Sequence, residues 1–210
     1  MPNLRELAVS DDPDTWRAAG FAVSDDGECV IGTVRLRLAP VEGRRGIHAW
    51  AFDGDVGGDV DGLPTGVVDP GDVPDKPVEH PNGATLIDHL VLATPDLERT
   101  KAAIEQAGFD VRRVRDSDTY GAPMRQVFFR AGEVILELIG PQEKAGDGRS
   151  GFFGIAVNVR DLDATKSMLG DHLGNPKDAV QPGRRIATLR NKELGSTTAV
   201  AFMSEGEGED

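Results

Sequence analysis

One histidine and one glutamate have side chains and positions in the sequence that could support metal binding or catalysis. His89 lies in the apolar run Ile87-Asp88-His89-Leu90-Val91-Leu92, and Glu137 lies in Val134-Ile135-Leu136-Glu137-Leu138-Ile139. Side chains alternate across a β-strand, so both groups can face one side of a sheet while the leucines face the other. An imidazole and a carboxylate can ligate zinc, nickel, iron or manganese. Glu137 could also act as a general base, with His89 orienting a substrate.

A structural role remains an alternative for each residue. His89 could be a half-buried strand histidine that is hydrogen-bonded to a neighbour. An unpaired carboxylate is costly to bury, so Glu137 should meet a cation, a hydrogen-bond donor or cavity water. The structural alternative for Glu137 is an ion pair with Arg125 or Arg185.

The elements that would position these residues belong to a repeat. Leu4–Val23, Ile87–Val111 and Phe153–Pro176 each contain an apolar run, an acidic turn, a helix-like segment and a glycine, which indicates one βα unit used three times. The middle copy predicts a strand, a helix and three more strands: Leu86–Ala93, Leu97–Gln106, Phe109–Arg115, Arg125–Arg130 and Glu133–Ile139. The third copy predicts the same order: Phe152–Val159, Asp163–Leu173, a weakly defined strand near Lys177–Val180, Arg184–Arg190 and Thr197–Met203.

The first copy predicts the same order in a less regular form, with a strand at Leu4–Val9, a helix at Asp14–Ala19, and strands starting at Phe21–Ser24, over Cys29–Leu38 and over Gly46–Phe52. We therefore divide the chain into an N-terminal degenerate module, an acidic Gly/Pro linker, two full modules and an acidic tail, at 1–53, 54–83, 84–142, 150–204 and 205–210. Asp55, Asp59 and Asp61 suggest a calcium loop, but the spacing does not satisfy the calcium pattern.

Tandem βαβββ units with His89 in the first strand and Glu137 in the fourth resemble the vicinal oxygen chelate superfamily, which includes glyoxalase-like and bleomycin-resistance-like proteins. The resemblance is carried by Ile87–Leu97 and Glu133–Pro141, and it covers Ala84–Ser204 well and Leu4–Phe52 less well. It implies an α+β fold in which two modules form a cupped mixed sheet, with a degenerate third module at the N-terminus.

The resemblance also implies a function at the cup. Family members use it for lyase, isomerase, epimerase or dioxygenase chemistry on a metal, and also for metal-free drug binding. The family's second histidine and second acidic ligand fall at Gly154 and at Ala201 or Phe202, so the metal site is incomplete. We expect a protein that binds a small polar or anionic metabolite, with metal-dependent chemistry at His89 and Glu137 as one hypothesis and non-catalytic sequestration as the other.

Further residues could contact the ligand. Gln126 could contribute an oxygen if its strand faces inward. Arg184 and Arg185 begin a strand, so one of them could reach the cup and grip an anion with its planar guanidinium. The predicted substrate-binding set is completed by three aromatic and basic residues of the predicted strands: Arg125, Phe128 and Phe202.

Composition limits the partners and the compartment. The chain has 210 residues and a formal net charge of −13, which argues against nucleic acid and anionic membranes as partners. Cys29 is the only cysteine, which excludes an internal disulfide, and no apolar run approaches the roughly 20 residues of a membrane span. We expect a cytoplasmic protein whose first module packs against the rest of the chain or forms a homodimer.

Overall fold

The structure is a computed structural model that describes residues 2–54, 56, 60–69, 71, 78–117 and 123–206. Within these ranges the chain forms two mixed β-sheets with three α-helices. This is the expected α+β class, with open, cupped sheets. None of the helices within the same ranges has the length and apolar character needed to cross a bilayer.

A five-stranded sheet is built from the N-terminal part of the chain. Its elements are β1 (Leu4–Ser10), α1 (Pro13–Ala18), β2 (Glu28–Ile31), β3 (Val34–Leu38), β4 (Gly46–Phe52) and β5 (Thr65–Val67). The strand order is β2-β3-β1-β4-β5. Strand β1 runs parallel to β3 and antiparallel to β4, and β4 runs parallel to β5.

This pairing corrects three details of the predicted first module. Cys29–Leu38 is a hairpin and not one strand, because Gly32 turns the chain with a φ of +60°, which is favourable only for glycine. Phe21–Ser24 forms no strand. Gly46–Phe52 does not close the first module; it pairs antiparallel with β1 and begins a second, shorter half of the sheet.

The segment 54–83, which the sequence predicts as a linker, contributes structure to this second half. Strand β5 lies in it, and Val60 and Leu63 are buried. The Asp61 carboxylate accepts hydrogen bonds from the Arg99 guanidinium at 2.7 Å and the Thr100 hydroxyl at 2.5 Å. These contacts commit Asp61 to the packing of the segment, while Asp55 and Asp59 lie outside the described residues.

An eight-stranded sheet follows, with the two modules side by side. Its elements are β6 (Ala84–Ala93), α2 (Leu97–Gln106), β7 (Val111–Ser117), β8 (Met124–Ala131), β9 (Val134–Pro141), β10 (Gly151–Val159), α3 (Leu162–Leu169), β11 (Lys177–Asp178), β12 (Arg185–Thr188) and β13 (Ala199–Ser204). The order is β11-β12-β13-β10-β6-β9-β8-β7. The first strands of the two modules, β6 and β10, pair antiparallel at the centre. Each module therefore has the predicted βαβββ order.

The two sheets share one hydrophobic core. Leu90, Leu92, Leu136 and Leu138 are fully buried in it, on the side of the sheet away from His89, as alternation predicts. Aromatic pairs join the sheets: the ring centroids of Trp50 and Phe152 are 5.3 Å apart, and those of Phe52 and Phe109 are 5.2 Å apart. Such pairs contribute about 0.5–1.5 kcal/mol each beyond their burial. The N-terminal module thus packs against the rest of its own chain.

His80 makes the stability of this packing depend on pH. The ring is buried between the sheets, with Nδ1 accepting a hydrogen bond from the Ala22 amide at 3.0 Å and Nε2 donating to the Val30 carbonyl at 2.8 Å. Burial lowers the pKa of His80, although the Val30 carbonyl opposes the shift. The unfolded chain therefore takes up this proton at a higher pH than the folded chain does, and stability falls as the pH drops below the unfolded imidazole pKa of about 6.5.

We expect the free energy of unfolding, measured with denaturant at several pH values, to fall between about pH 7.5 and pH 5.5. The variant His80→Gln removes the titrating group, so it should show a shallower fall over the same range. An equally steep fall in the variant would contradict the assignment.

Candidate functional site

The open face of the eight-stranded sheet encloses a cavity of about 680 Å³. This volume lies within the range of small-molecule sites. Strands of both modules line it with apolar and polar side chains. The apolar residues include Val91, Phe128, Ile135, Phe153, Val180, Ile186 and Met203, and the polar residues include His89, Arg113, Arg115, Gln126, Glu137, Lys177 and Asp178.

His89 and Glu137 both project into this cavity, as the sequence predicts. Strands β6 and β9 are parallel neighbours in which Val91 pairs with Glu137 and His89 with Ile135. This register puts the two polar side chains on one face, with 3.5 Å between His89 Nε2 and Glu137 Oε2. Their side chains are 15% and 8% exposed, so the pair lies at the floor of the cavity.

A β-bulge beside His89 brings in a residue that sequence reasoning did not select. His89 pairs with Ala156 and Ile87 with Val157, so Asp88 is an extra residue on β6. Bulges re-aim side chains, and here the Asp88 carboxylate reaches the ring of its neighbour, with 2.9 Å between Oδ2 and His89 Nδ1. Burial raises the pKa of Asp88, but hydrogen bonds from His89 and Arg184 outweigh it and lower this pKa to about 2.

Glu137 is held from the other side by Gln126. The Gln126 side-chain amide donates to Glu137 Oε1 at 2.5 Å, and its own oxygen accepts from Arg115 Nε at 2.7 Å. The Arg115 guanidinium lies 5.8 Å from the centre of the Phe128 ring. Gln126 and Phe128 therefore line the cavity as predicted. The structural ion pair of Glu137 with Arg125 or Arg185 does not form.

The arginines predicted to contact a ligand lie elsewhere, and this corrects the sequence analysis. Arg125 pairs with Asp116 at 2.7 Å on the surface, and Arg185 pairs with Asp163 of α3 at 2.6 Å. Arg184 points to the other face from Arg185, as alternation predicts, but the carboxylate it binds belongs to Asp88, at 2.7 Å. None of the three lines the cavity.

Phe202 also lies away from the cavity, contrary to the prediction. Strand β13 pairs with β10 so that Ala201 lies opposite Ala156, the counterpart of the Glu137–Val91 pair in the first module. Ala201 is therefore the equivalent of Glu137, and Phe202 faces the core. There it is fully buried and stacks on Phe21 with 5.7 Å between ring centroids.

The second module does not complete a metal site. Gly154 and Ala201 stand at the equivalents of His89 and Glu137 and supply no ligand. A Cβ atom at Gly154 would lie 2.3 Å from the Ala199 carbonyl oxygen, so the backbone leaves no room for a histidine. Among the described residues no three His, Cys, Asp or Glu side chains converge on a point, and no buried side-chain polar atom lacks a partner. Two donors do not make the three or four ligands of a zinc or iron site, so these residues do not fit the metal.

A smaller cavity, of about 350 Å³, lies on the N-terminal sheet and is lined by residues that include Glu6 and Trp50. Glu6 is the counterpart of His89 in the first repeat, but its carboxylate is bound by Arg35 and Arg37, each at 2.8 Å. These ion pairs occupy the polar group that a ligand would need. The chemistry is therefore concentrated in the larger cavity.

Arg113 and Lys177 complete the charged rim of the larger cavity, although the sequence analysis did not select them. They come from β7 and β11, the two opposite edge strands of the sheet. Within the described ranges neither forms an ion pair. The alternation of Val111-Arg112-Arg113-Val114-Arg115 could have indicated that Arg113 and Arg115 share a face, whereas Lys177 lies in a strand too short to carry a pattern.

Comparison with known proteins agrees with this architecture. Residues 88–188 match the model of the Glyoxalase/Bleomycin resistance protein/Dioxygenase superfamily. A variant of 4-hydroxymandelate synthase from Streptomyces coelicolor is 16% identical, with 99% of this chain and 95% of that chain aligned and a TM-score of 0.65. A variant of homoprotocatechuate 2,3-dioxygenase from Brevibacterium fuscum is 17% identical over 100% of this chain and 74% of that chain, with a TM-score of 0.61. No curated protein matches the chain in sequence.

At these identities the similarity to solved structures shows the fold, including that of the N-terminal sheet. The match assigns residues 88–188 to the Glyoxalase/Bleomycin resistance protein/Dioxygenase superfamily. The two βαβββ modules have the fold of the vicinal oxygen chelate proteins that the sequence resembles.

Proposed function

We propose that the protein binds a small organic acid with an apolar body and a hydroxyl or amino group, in the cavity of the eight-stranded sheet. The observation that carries the proposal is the distribution of groups in that cavity. Hydrogen-bond acceptors at its floor, cations from the two edge strands and several apolar side chains all line the same space. A ligand that satisfies all three parts has a donor, an apolar body and an anionic group.

The acceptors at the floor are His89 Nε2 and Glu137 Oε2. The ionised Asp88 carboxylate can only accept a hydrogen bond, so the proton of this bond lies on His89 Nδ1. In its neutral form the ring presents the Nε2 lone pair to the cavity, 3.5 Å from the Glu137 oxygen. A hydroxyl group can donate to one of these two acceptors, and an amino group can donate to both.

The rim of the cavity carries positively charged side chains. Arg113 and Lys177 have no ion-pair partner within the described part of the chain, and Arg115 lies over Phe128. Asp178 is next to Lys177 and also lines the cavity, so the rim is not uniformly positive. In a chain with a net charge of −13, such a cluster concentrates small anions locally.

The apolar wall is partly open to solvent. Phe153 is 55% exposed and Val180 is 61% exposed, and both line the cavity. Large exposed apolar side chains that border a concave site are typical of ligand-binding surfaces. A ligand with an aromatic or aliphatic body would remove this area from water.

This proposal favours binding over metal-dependent chemistry, because the second module supplies no ligands. A second function, proton transfer to or from the ligand, is favoured by one observation. Gln126 holds one oxygen of Glu137 while the other faces the cavity, which is the arrangement of a positioned general base.

Calorimetric titration with 3-phenyllactate tests the proposal, because this acid carries a carboxylate, an apolar ring and a hydroxyl group. We expect 3-phenylpropionate, which lacks the hydroxyl, and methyl 3-phenyllactate, which lacks the charge, to bind about tenfold or more weakly. Glu137→Gln should reduce the affinity for 3-phenyllactate and narrow the difference between the two acids.

Phe202→Leu provides the control, since Phe202 lies on the other face of the sheet and its substitution should leave the affinity unchanged. Equal affinity for all three compounds would show that the polar groups of the cavity do not select the ligand. That result would contradict the proposal.

A further inference from the structure

Arg184 of the second module is joined to His89 of the first by a continuous set of hydrogen bonds. Its Nη1 donates to Asp88 Oδ1 at 2.7 Å, and Asp88 Oδ2 accepts from His89 Nδ1 at 2.9 Å. The residues are far apart in sequence, so only the pairing of β6 with β10, of β10 with β13 and of β13 with β12 brings them together. The contact therefore depends on assembly of both modules.

Arg184 is itself fixed at three points. Besides Asp88, its guanidinium donates to the Ser204 carbonyl from Nε at 2.9 Å and to the Asn158 side-chain oxygen from Nη2. The Arg184 side chain is 13% exposed and that of Asp88 is 9% exposed. A planar fork held at three points has little freedom to rotate, so the carboxylate that it binds is held in one orientation.

The orientation of Asp88 decides which ring nitrogen of His89 carries the proton. An ionised carboxylate beside Nδ1 requires the proton on Nδ1 and leaves the lone pair on Nε2. Without Arg184 the Asp88 carboxylate would be buried without its cation, and it would turn toward water or lose its alignment with the ring. The imidazole would then be free to carry its proton on Nε2.

We propose that Arg184 is a positioning residue for His89, acting through Asp88 to hold the imidazole as the Nδ1–H tautomer with the Nε2 lone pair in the cavity. The bulge at Asp88 makes this contact between modules geometrically available. The second module thus contributes to the site by orienting the histidine of the first, although it supplies no counterpart of His89 or Glu137. The proposal concerns the free protein and does not depend on which ligand binds.

Nuclear magnetic resonance of the full chain with ¹⁵N-labelled histidine tests it, because long-range ¹H–¹⁵N correlations distinguish protonated from unprotonated ring nitrogens. The chain has four histidines, and His89→Gln assigns the His89 signals. At a pH well above the imidazole pKa, we expect wild-type His89 to be protonated on Nδ1. His80 provides an internal reference of the opposite tautomer, since its Nδ1 accepts from the Ala22 amide.

In Arg184→Met we expect the His89 Nε2 signal to move from the unprotonated toward the protonated position, while the His80 signals stay in place. Arg184→Lys keeps the charge but loses the fork, so it should give an intermediate position. Arg185→Met is the matched control, because Arg185 pairs with the exposed Asp163 and should leave His89 unchanged.

Two results would overturn the proposal. The first is a wild-type His89 that carries its proton on Nε2, which needs no variant to detect. The second is a folded Arg184→Met or Arg184→Lys variant whose His89 signals match those of the wild type. If Arg184→Met does not fold, as loss of the His80 reference signals would show, Arg184→Lys and the wild-type tautomer decide the question. Neither measurement needs a ligand, so failure here is distinguishable from failure of the binding proposal.

Discussion

Replacing Asp11 with alanine is expected to lower the free energy of unfolding by about 3–5 kcal/mol, measured by denaturant titration. Asp11 follows β1 on the N-terminal sheet and is 3% exposed. Its carboxylate accepts hydrogen bonds from four other residues: Trp16 Nε1 at 3.2 Å, the Ser196 hydroxyl at 2.7 Å, the Thr197 amide at 2.7 Å and hydroxyl at 2.8 Å, and the Thr198 hydroxyl at 2.6 Å. Alanine would leave these donors, several of them buried, without an acceptor.

The effect should be global because Asp11 links the two sheets. Ser196, Thr197 and Thr198 form the turn that leads into β13, so removal of the carboxylate loosens the second module as well as the N-terminal sheet. Burial raises the pKa of Asp11, but the hydrogen bonds outweigh it and lower the pKa below its usual range. The contribution of Asp11 to stability is therefore present above the pKa that this carboxyl has in the unfolded chain. It is lost as the pH falls through the lower pKa of the folded chain.

The neighbouring Asp12 provides a control with the same change in charge. It is exposed and caps α1 by accepting from the Asp14 amide at 2.8 Å, so Asp12→Ala should cost only about 1 kcal/mol. Equal losses for the two variants would show that Asp11 does not hold the sheets together.

Replacing Gly154 with alanine is expected to cost about 3 kcal/mol. The added Cβ would lie 2.3 Å from the Ala199 carbonyl oxygen and 2.8 Å from its Cβ, and both belong to the neighbouring strand β13. The φ of Gly154 is not positive, so the cost arises from space and not from backbone conformation. Strands β10 and β13 would have to separate at the floor of the cavity.

Gly151→Ala is the matched control, because it lies on the same strand with no atom near the added Cβ and should change stability by less than about 0.5 kcal/mol. The same crowding predicts that the double variant Gly154→His with Ala201→Glu will not restore a metal centre. Stoichiometric zinc or manganese in a stable double variant, measured by elemental analysis, would contradict this account of the site.

Much of the larger sheet could be predicted because its sequence carries local signals. The runs around His89 and Glu137 alternate regularly, so the common face of these two residues followed from strand periodicity alone. The bounds of α2 also agreed with the prediction, because Asp96 caps the helix at its start and Gly108 follows its end. Strand alternation and helix capping both arise from residues that are neighbours in the sequence.

The features that sequence reasoning missed depend on pairing between distant segments. The assignment of Ala201, and not Phe202, as the equivalent of Glu137 required the register of β13 on β10, and a shift of one residue exchanges the two faces. The bulge at Asp88 exists only relative to β10. Strand β5 lies in a Gly/Pro-rich segment and forms by pairing with β4.

The contacts of the arginines also depend on distant segments and could not be predicted from the sequence. Alternation placed Arg184 and Arg185 on opposite faces, and this was confirmed. Only the structure shows that Arg184 is paired with the carboxylate of Asp88. The rim cations Arg113 and Lys177 come from opposite edges of the sheet, and no pattern in the sequence places them at one cavity.

A crystal structure of the protein with bound 3-phenyllactate would test the central claim most directly. We expect the hydroxyl group between His89 Nε2 and Glu137, the ring against Phe128 and Phe153, and the carboxylate toward Arg113 or Lys177. A ligand bound in the smaller cavity beside Glu6 and Trp50, or one in the larger cavity that leaves His89 and Glu137 without contact, would contradict the claim.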